Sequence, residues 1–163
     1  MNDRSRARHY PLYAALCALL LATVLTTGTV AQNGIVNPGV LERMHTMTTA
    51  KTAVDTLTNM MAGRFRFDRS QARAARRSLI SATRSIPSVF REPHIDLQSR
   101  ARTEIWRQWD DFETRANTAK RAARALRVDR LERLRSTLPG LIHACLDCHQ
   151  TYRQNKWGSE RLN

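Results

Sequence analysis

The chain of 163 residues has room for a single domain and carries a formal charge of +13, with only 6% aromatic residues; a body of this size folds on one core without extra crosslinks. So basic a balance raises nucleic acid as a partner, but an export leader argues against it, as does the spread of the arginines over several segments without one dense cluster. Arginine-rich solvated helix faces are the plain reading, and a basic surface that steers acidic partners is the bolder one.

The chain opens on an export signal, residues 1–31. Arg4, Arg6 and Arg8 form its basic region, the run from Leu12 to Leu25 is apolar, and Thr29, Val30 and Ala31 offer small residues for cleavage before Gln32. The apolar run falls short of the ~20 residues a membrane-spanning helix needs, so no permanent membrane insertion is expected. Cys17 lies inside this run and leaves with it, so the mature domain, residues 32–163, holds only Cys145 and Cys148. The expected location is the periplasm, where exported thiols meet oxidants.

Four helices follow from apolar residues recurring at steps of three and four. The first stripe is Met47, Ala50, Val54, Leu57 and Met61, ending near Gly63. The second is Ala72, Ala75, Leu79, Ala82 and Ile86, with Asp68 and Gln71 as a capping box and Pro87 as its stop. The third is Ile105, Trp109, Phe112, Ala116, Ala119, Ala123 and Leu126, with Trp106 flanking its first turn. The fourth is Leu131, Leu134, Leu138, Leu141, Cys145, Cys148 and Tyr152, with a kink or broken start expected at Pro139. Short links near Gly63 to Phe67 and at Val128 to Asp129 make antiparallel hairpins, and a longer link from Ser88 to about Arg102 crosses between them. The fold class is therefore all-α, an antiparallel four-helix bundle with its chemistry on the C-terminal helix.

That chemistry is Cys145, Leu146, Asp147, Cys148 and His149, a C-x-x-C-H motif that reads as an attachment site for one c-type haem. On a helix, residues three and four apart share a face, so both thiols can reach the vinyl groups of the porphyrin while the imidazole of His149 reaches the iron. A thioredoxin-like dithiol would follow a strand, and no strand pattern is present. A structural zinc would need a second ligand pair, and His45, His94 and His143 are scattered over different segments. No paired-acid or triad pattern supports an enzyme.

These residues bring a resemblance into view. The run Cys148, His149, Gln150, Thr151, Tyr152, Arg153 resembles the C-H-x-x-[YF]-R ending of the class II c-type cytochromes, which include cytochrome c′ and its low-spin relatives. Ile105, Trp106, Trp109 and Phe112 are similar to the family's I-W-x-x-W-x-x-F start of helix three, and Gly63 with Phe67 and Asp68 resembles its G-x-x-x-[YF]-D turn. The resemblance covers nearly all of the mature chain. It implies covalent haem c at Cys145 and Cys148 with His149 as proximal ligand, a propionate-binding role for Arg43 and the distal position for Met47. It also implies pocket roles for Trp109, Tyr152 and Arg153.

Methionine at the distal position is the pattern of the low-spin, His/Met-ligated branch. The resemblance therefore implies electron transfer with periplasmic redox partner proteins, ahead of the alternative, a five-coordinate haem binding NO or CO. Arg43 and Met47 are four apart and project to one side. Met44 is the competing ligand, and His45 projects away from Met47. Members of the family occur as monomers and as homodimers through the first two helices.

Overall fold

The computed structural model describes residues 37–154, in which five helices and no strand occur; the expected leader, residues 1–31, lies outside them. Among the described residues no helix is long and apolar enough to cross a membrane. The helices are α1 (Pro38–Met61), α2 (Arg69–Val89), the short α3 (Glu104–Arg107), α4 (Trp109–Ala125) and α5 (Leu131–Tyr152). Each long helix packs on the next and α5 closes on α1, which makes the expected antiparallel four-helix bundle.

Helix α1 begins where Asn37 accepts hydrogen bonds from the Gly39 and Val40 amides at 2.9 and 3.3 Å, with Pro38 in the first turn. It ends in a Schellman turn: Gly63, at φ +75°, donates to the Met60 carbonyl and Arg64 to that of Asn59. Its buried face differs from the expected stripe. Val40, Arg43, Thr46, Ala53, Leu57 and Met60 are buried, whereas Met47, Ala50, Val54 and Met61 are half-buried at its edge. Two polar residues, Arg43 and Thr46, lie on the inward face, and an apolar pattern cannot register them.

The expected α2 stripe, by contrast, is the buried one, and Asp68 accepts the Gln71 amide at 2.8 Å. Pro87 does not stop this helix, which runs on to Val89. A proline near the end removes one amide, and the Phe90 amide still reaches the Ile86 carbonyl at 3.2 Å.

The third stripe is not one helix. Gln108, at φ −125° and ψ 46°, separates α3 from α4. The break lets Trp106 and Trp109 serve different neighbours: the Trp106 Nε1–H donates to the Phe90 carbonyl at 2.8 Å, and Trp109 packs on Phe112. No broken start occurs in α5 either, since the helix is continuous from Leu131 through Pro139. Pro139 is exposed, and its missing N–H leaves the Arg135 carbonyl without its usual helix partner.

The interior forms two apolar clusters. One, at the α4–α5 turn and the bundle middle, centres on Leu57, Leu79, Leu134, Leu138 and Leu141; the other, at the C-terminal end of α5, holds Ile86, Phe90, Ile105, Phe112, Ala116 and Tyr152. The arginines do not stay spread out. The fold brings the start of α2 against the α4–α5 link, where Arg69 Nε donates to the Asp129 carbonyl at 3.1 Å and Arg76 Nη2 to the Arg124 carbonyl at 2.6 Å. Arg135 Nε reaches the Met61 carbonyl at the same end of the bundle. Segments 64–77 and 121–135 are far apart in sequence, and only their packing makes one basic pole.

Leu138 is fully buried in the first cluster. Leu138→Ala is expected to cost about 2–5 kcal/mol in denaturant unfolding, whereas Ile95→Ala, at a side chain 84% exposed, changes the midpoint little.

Candidate functional site

The last turns of α5 carry the C-x-x-C-H residues across the junction of the two clusters. Cys145 packs against the leucine cluster and Cys148 against the aromatic one. Both are half-buried free thiols. Burial pushes both thiols up, Cys148 to about 11. The thiolate is the form that oxidises, so the raised pKa disfavours oxidation of these cysteines. His149 is half-buried, and desolvation, with the charge of Arg153 second, lowers its pKa. The neutral imidazole this favours is the form that binds metal.

Phe112 organises the wall behind Cys148. Its ring meets Phe90 at 5.3 Å, Trp109 at 5.6 Å and the edge of Tyr152 at 5.4 Å between centroids, separations at which tilted and edge-on aromatic pairs attract. From α1, Met47 packs against this same cluster, together with Trp106 and Trp109. Met44 is 41% exposed and His45 is exposed, so of the candidates on this helix only Met47 is directed at the cluster that holds Cys148.

Arg43 is 3% exposed and tightly occupied. Its Nε donates to the Val89 carbonyl at 2.9 Å, Nη1 to that of His94 at 3.0 Å, and Nη2 to that of Glu92. The guanidinium also stacks between Phe90 and Trp106, at 5.1 and 5.0 Å from the ring centroids. Desolvation lowers its pKa, but a guanidinium stays charged. The buried cation thus fastens the α2–α3 link over α1, and its remaining N–H groups can serve a carboxylate such as a propionate. The link also folds down at His94, whose ring lies so close to Gly39 that a Cβ there would come within 1.9 Å of Cδ2.

An ionic network on the outer face was not legible in the sequence. Arg115 of α4 holds Asp111 through Nε and Asp147, inside the C-x-x-C-H motif, through Nη1, both at 2.7 Å. Tyr152 Oη donates to the same Asp111 carboxylate at 2.5 Å. Hydrogen bonds from Arg115, and then Tyr152, hold the Asp111 carboxyl below its ordinary range; desolvation first, with Asp111 second, pushes Tyr152 up to about 12. The helix end is fixed from the other side by Arg102 N to the Tyr152 carbonyl at 3.0 Å and by Gln154 N to the Arg100 carbonyl at 2.9 Å. Arg153 itself is exposed, and Arg91 stacks on Trp109 at 4.5 Å.

A covalently held haem fits these residues. The two thiols are free and one turn apart, the adjacent imidazole is biased to its neutral form, and an aromatic wall stands beside Cys148. Of six exposed large apolar side chains among the described residues, Leu41, Met44, Ile95, Leu97 and Leu146 lie at this end of the bundle, and they supply apolar cover that a porphyrin can use. Among the described residues no cluster of three or more His, Cys, Asp or Glu side chains forms a metal site.

A family model described as cytochrome c′ matches residues 39–153. No curated protein matches the chain. Among solved structures, cytochrome c′ from Rhodobacter sphaeroides is 21% identical with a TM-score of 0.66, over 72% of this chain and 96% of that one. Oxidised cytochrome c556 from Rhodopseudomonas palustris is 17% identical with a TM-score of 0.66, over 73% and 98%. A ferrous variant of cytochrome c′ from Alcaligenes xylosoxidans with bound NO is 20% identical with a TM-score of 0.65, over 72% and 94%.

The Asp111 network sets a pH dependence. A carboxylate whose folded pKa is depressed contributes stability above its unfolded pKa and loses it as pH falls through the folded value. The stability difference between wild type and Asp111→Asn is therefore expected at neutral pH and should vanish in acid, as read by thermal unfolding across a pH series. A difference that persists in acid would show that packing, not ionisation, carries it.

Proposed function

Since the chain belongs to the cytochrome c′ family, we propose that it is a periplasmic monohaem c-type cytochrome that takes up nitric oxide or carbon monoxide beside an iron held by His149. The observation that carries this reading is the match of residues 39–153 to the cytochrome c′ family model. The NO-bound neighbour and the apolar cluster beside Cys148 support it further. When bound, haem supplies an iron able to hold a diatomic gas or to pass one electron.

The chain's own residues do the rest. Cys145 and Cys148 would hold the haem, each S–H adding across one vinyl group to give a thioether. His149, whose lowered pKa favours the neutral imidazole, would offer a ring nitrogen to the iron. Phe90, Trp109 and Phe112 would shield the haem pocket from water, and Arg43, which holds the link in place, would have N–H groups left over for a propionate. The role is binding, without catalytic turnover.

A second reading is electron transfer with Met47 as sixth iron ligand, serving redox partner proteins of the periplasm. It is favoured by the direction of Met47 toward the cluster shared with Cys148, and by the likeness to cytochrome c556. A thioether ligand would raise the potential and close the distal site to gases.

Absorption spectra of the oxidised, reduced and carbon monoxide-treated protein separate the two. The first reading expects a high-spin resting iron and ready carbon monoxide uptake, with Met47→Leu changing neither. A low-spin wild type that Met47→Leu converts to a high-spin, gas-binding form would overturn it in favour of the second. Met44→Leu, at an exposed position, leaves the spectra unchanged in either case.

A further inference from the structure

The basic pole contains a cleft of about 430 Å³ between the start of α2 and the α4–α5 link, lined by Arg73, Arg76, Arg77, Arg127 and Asp129 together with Leu126 and Val128. It lies at the end of the bundle remote from Cys145–His149, and nothing in the haem reading uses it. Two observations mark it as more than a solvated charged face.

The first is an orphan donor. Arg76 is anchored by its Nη2 bond to the Arg124 carbonyl at 2.6 Å, yet its Nε is buried and has no hydrogen-bond partner. Buried donors are nearly always satisfied, and one that is not calls for an explanation. The second is the charge balance. Among the described residues Arg73, Arg77 and Arg127 make no ion pair. Asp129 is the cleft's one carboxylate, and it is engaged by Arg133 at 3.0 Å and Arg130 at 3.7 Å. It therefore cannot neutralise the four guanidinium groups that line the cleft.

We propose that this cleft is a binding site for a phosphate-class oxyanion, held by Arg73, Arg76, Arg77 and Arg127. Guanidinium groups present paired N–H donors that match the oxygen spacing of phosphate, and an anion here would supply the acceptor that the buried Arg76 Nε lacks once the side chain turns toward it. Leu126 and Val128, both buried, supply the apolar part of the lining beside the guanidinium groups. The same chemistry is offered by free phosphate and by the headgroup of an anionic phospholipid.

Calorimetric titration of the mature holoprotein with inorganic phosphate, at about 0.15 M salt so that exposed charges are screened, tests the site. Flotation with vesicles of phosphatidylcholine, with and without phosphatidylglycerol, tests the lipid source. Saturable uptake of one phosphate, weakened about tenfold or more by Arg76→Gln with Arg127→Gln, supports the site for a free oxyanion. No phosphate heat, but phosphatidylglycerol-dependent flotation lost in the same variant, supports it for a lipid headgroup. Arg73→Gln with Arg77→Gln removes the same charge at two exposed positions and must also weaken binding; it serves if the first pair disturbs the fold, which an unchanged haem spectrum checks. The control, Arg84→Gln with Arg107→Gln, lies outside the cleft. If neither probe binds, or if the control weakens binding as much as the cleft variants do, the protein carries only diffuse positive charge and the proposal is overturned.

Discussion

The packing of Phe112 against Phe90, Trp109 and Tyr152 joins elements that the chain order keeps apart. Phe112 and Trp109 come from α4, Phe90 from the end of α2, and Tyr152 from the last turn of α5, so one ring holds three helices together at one end of the bundle. Tyr152 lies one turn beyond Cys148, and its place in the cluster fixes the rotation of α5 about its axis. That rotation turns Cys148 toward the cluster and leaves Leu146 and Asp147 outside. Met47 approaches the same wall from α1. Without the ring cluster the attachment motif would have no defined face opposite it.

Polar groups tighten what the rings begin. The cation of Arg43 is taken into the interior because three backbone carbonyls and two aromatic faces replace its water, and a buried charge is tolerated only with such partners. It thereby closes the long α2–α3 link over the N-terminal turns of α1. Outside, Arg115 ties α4 to Asp147 within the motif, so the thiols are held from the solvent side as well as from the core.

Much of this was legible in the residues. The C-x-x-C-H spacing, the stripes of α2 and α4, and the glycine turn at Gly63 each express a local rule that needs no knowledge of the partner surface. What could not be read depends on distant segments. The inward face of α1 contains Arg43 and Thr46, whose burial only the α2–α3 link explains. The break at Gln108 follows from Trp106 and Trp109 being drawn to different partners. Pro87 read as a helix stop and Pro139 as a kink or a broken start, yet α2 runs on past Pro87 and α5 starts eight residues before Pro139. The arginines looked dispersed because the fold, not the chain, gathers them at one pole. Met47 is directed at the cluster shared with Cys148, but a methionine that serves a site and one that only fills the core carry the same apolar pattern.

The account rests on α5 presenting two thiols and an imidazole to one covalently bound porphyrin. The measurement that tests it most directly is the intact mass of the protein purified from the periplasm, followed by mass mapping of its proteolytic peptides. The account predicts the mature polypeptide plus one haem, with the added mass confined to the peptide that contains Cys145 and Cys148. A mass equal to the bare polypeptide with both thiols free would contradict it.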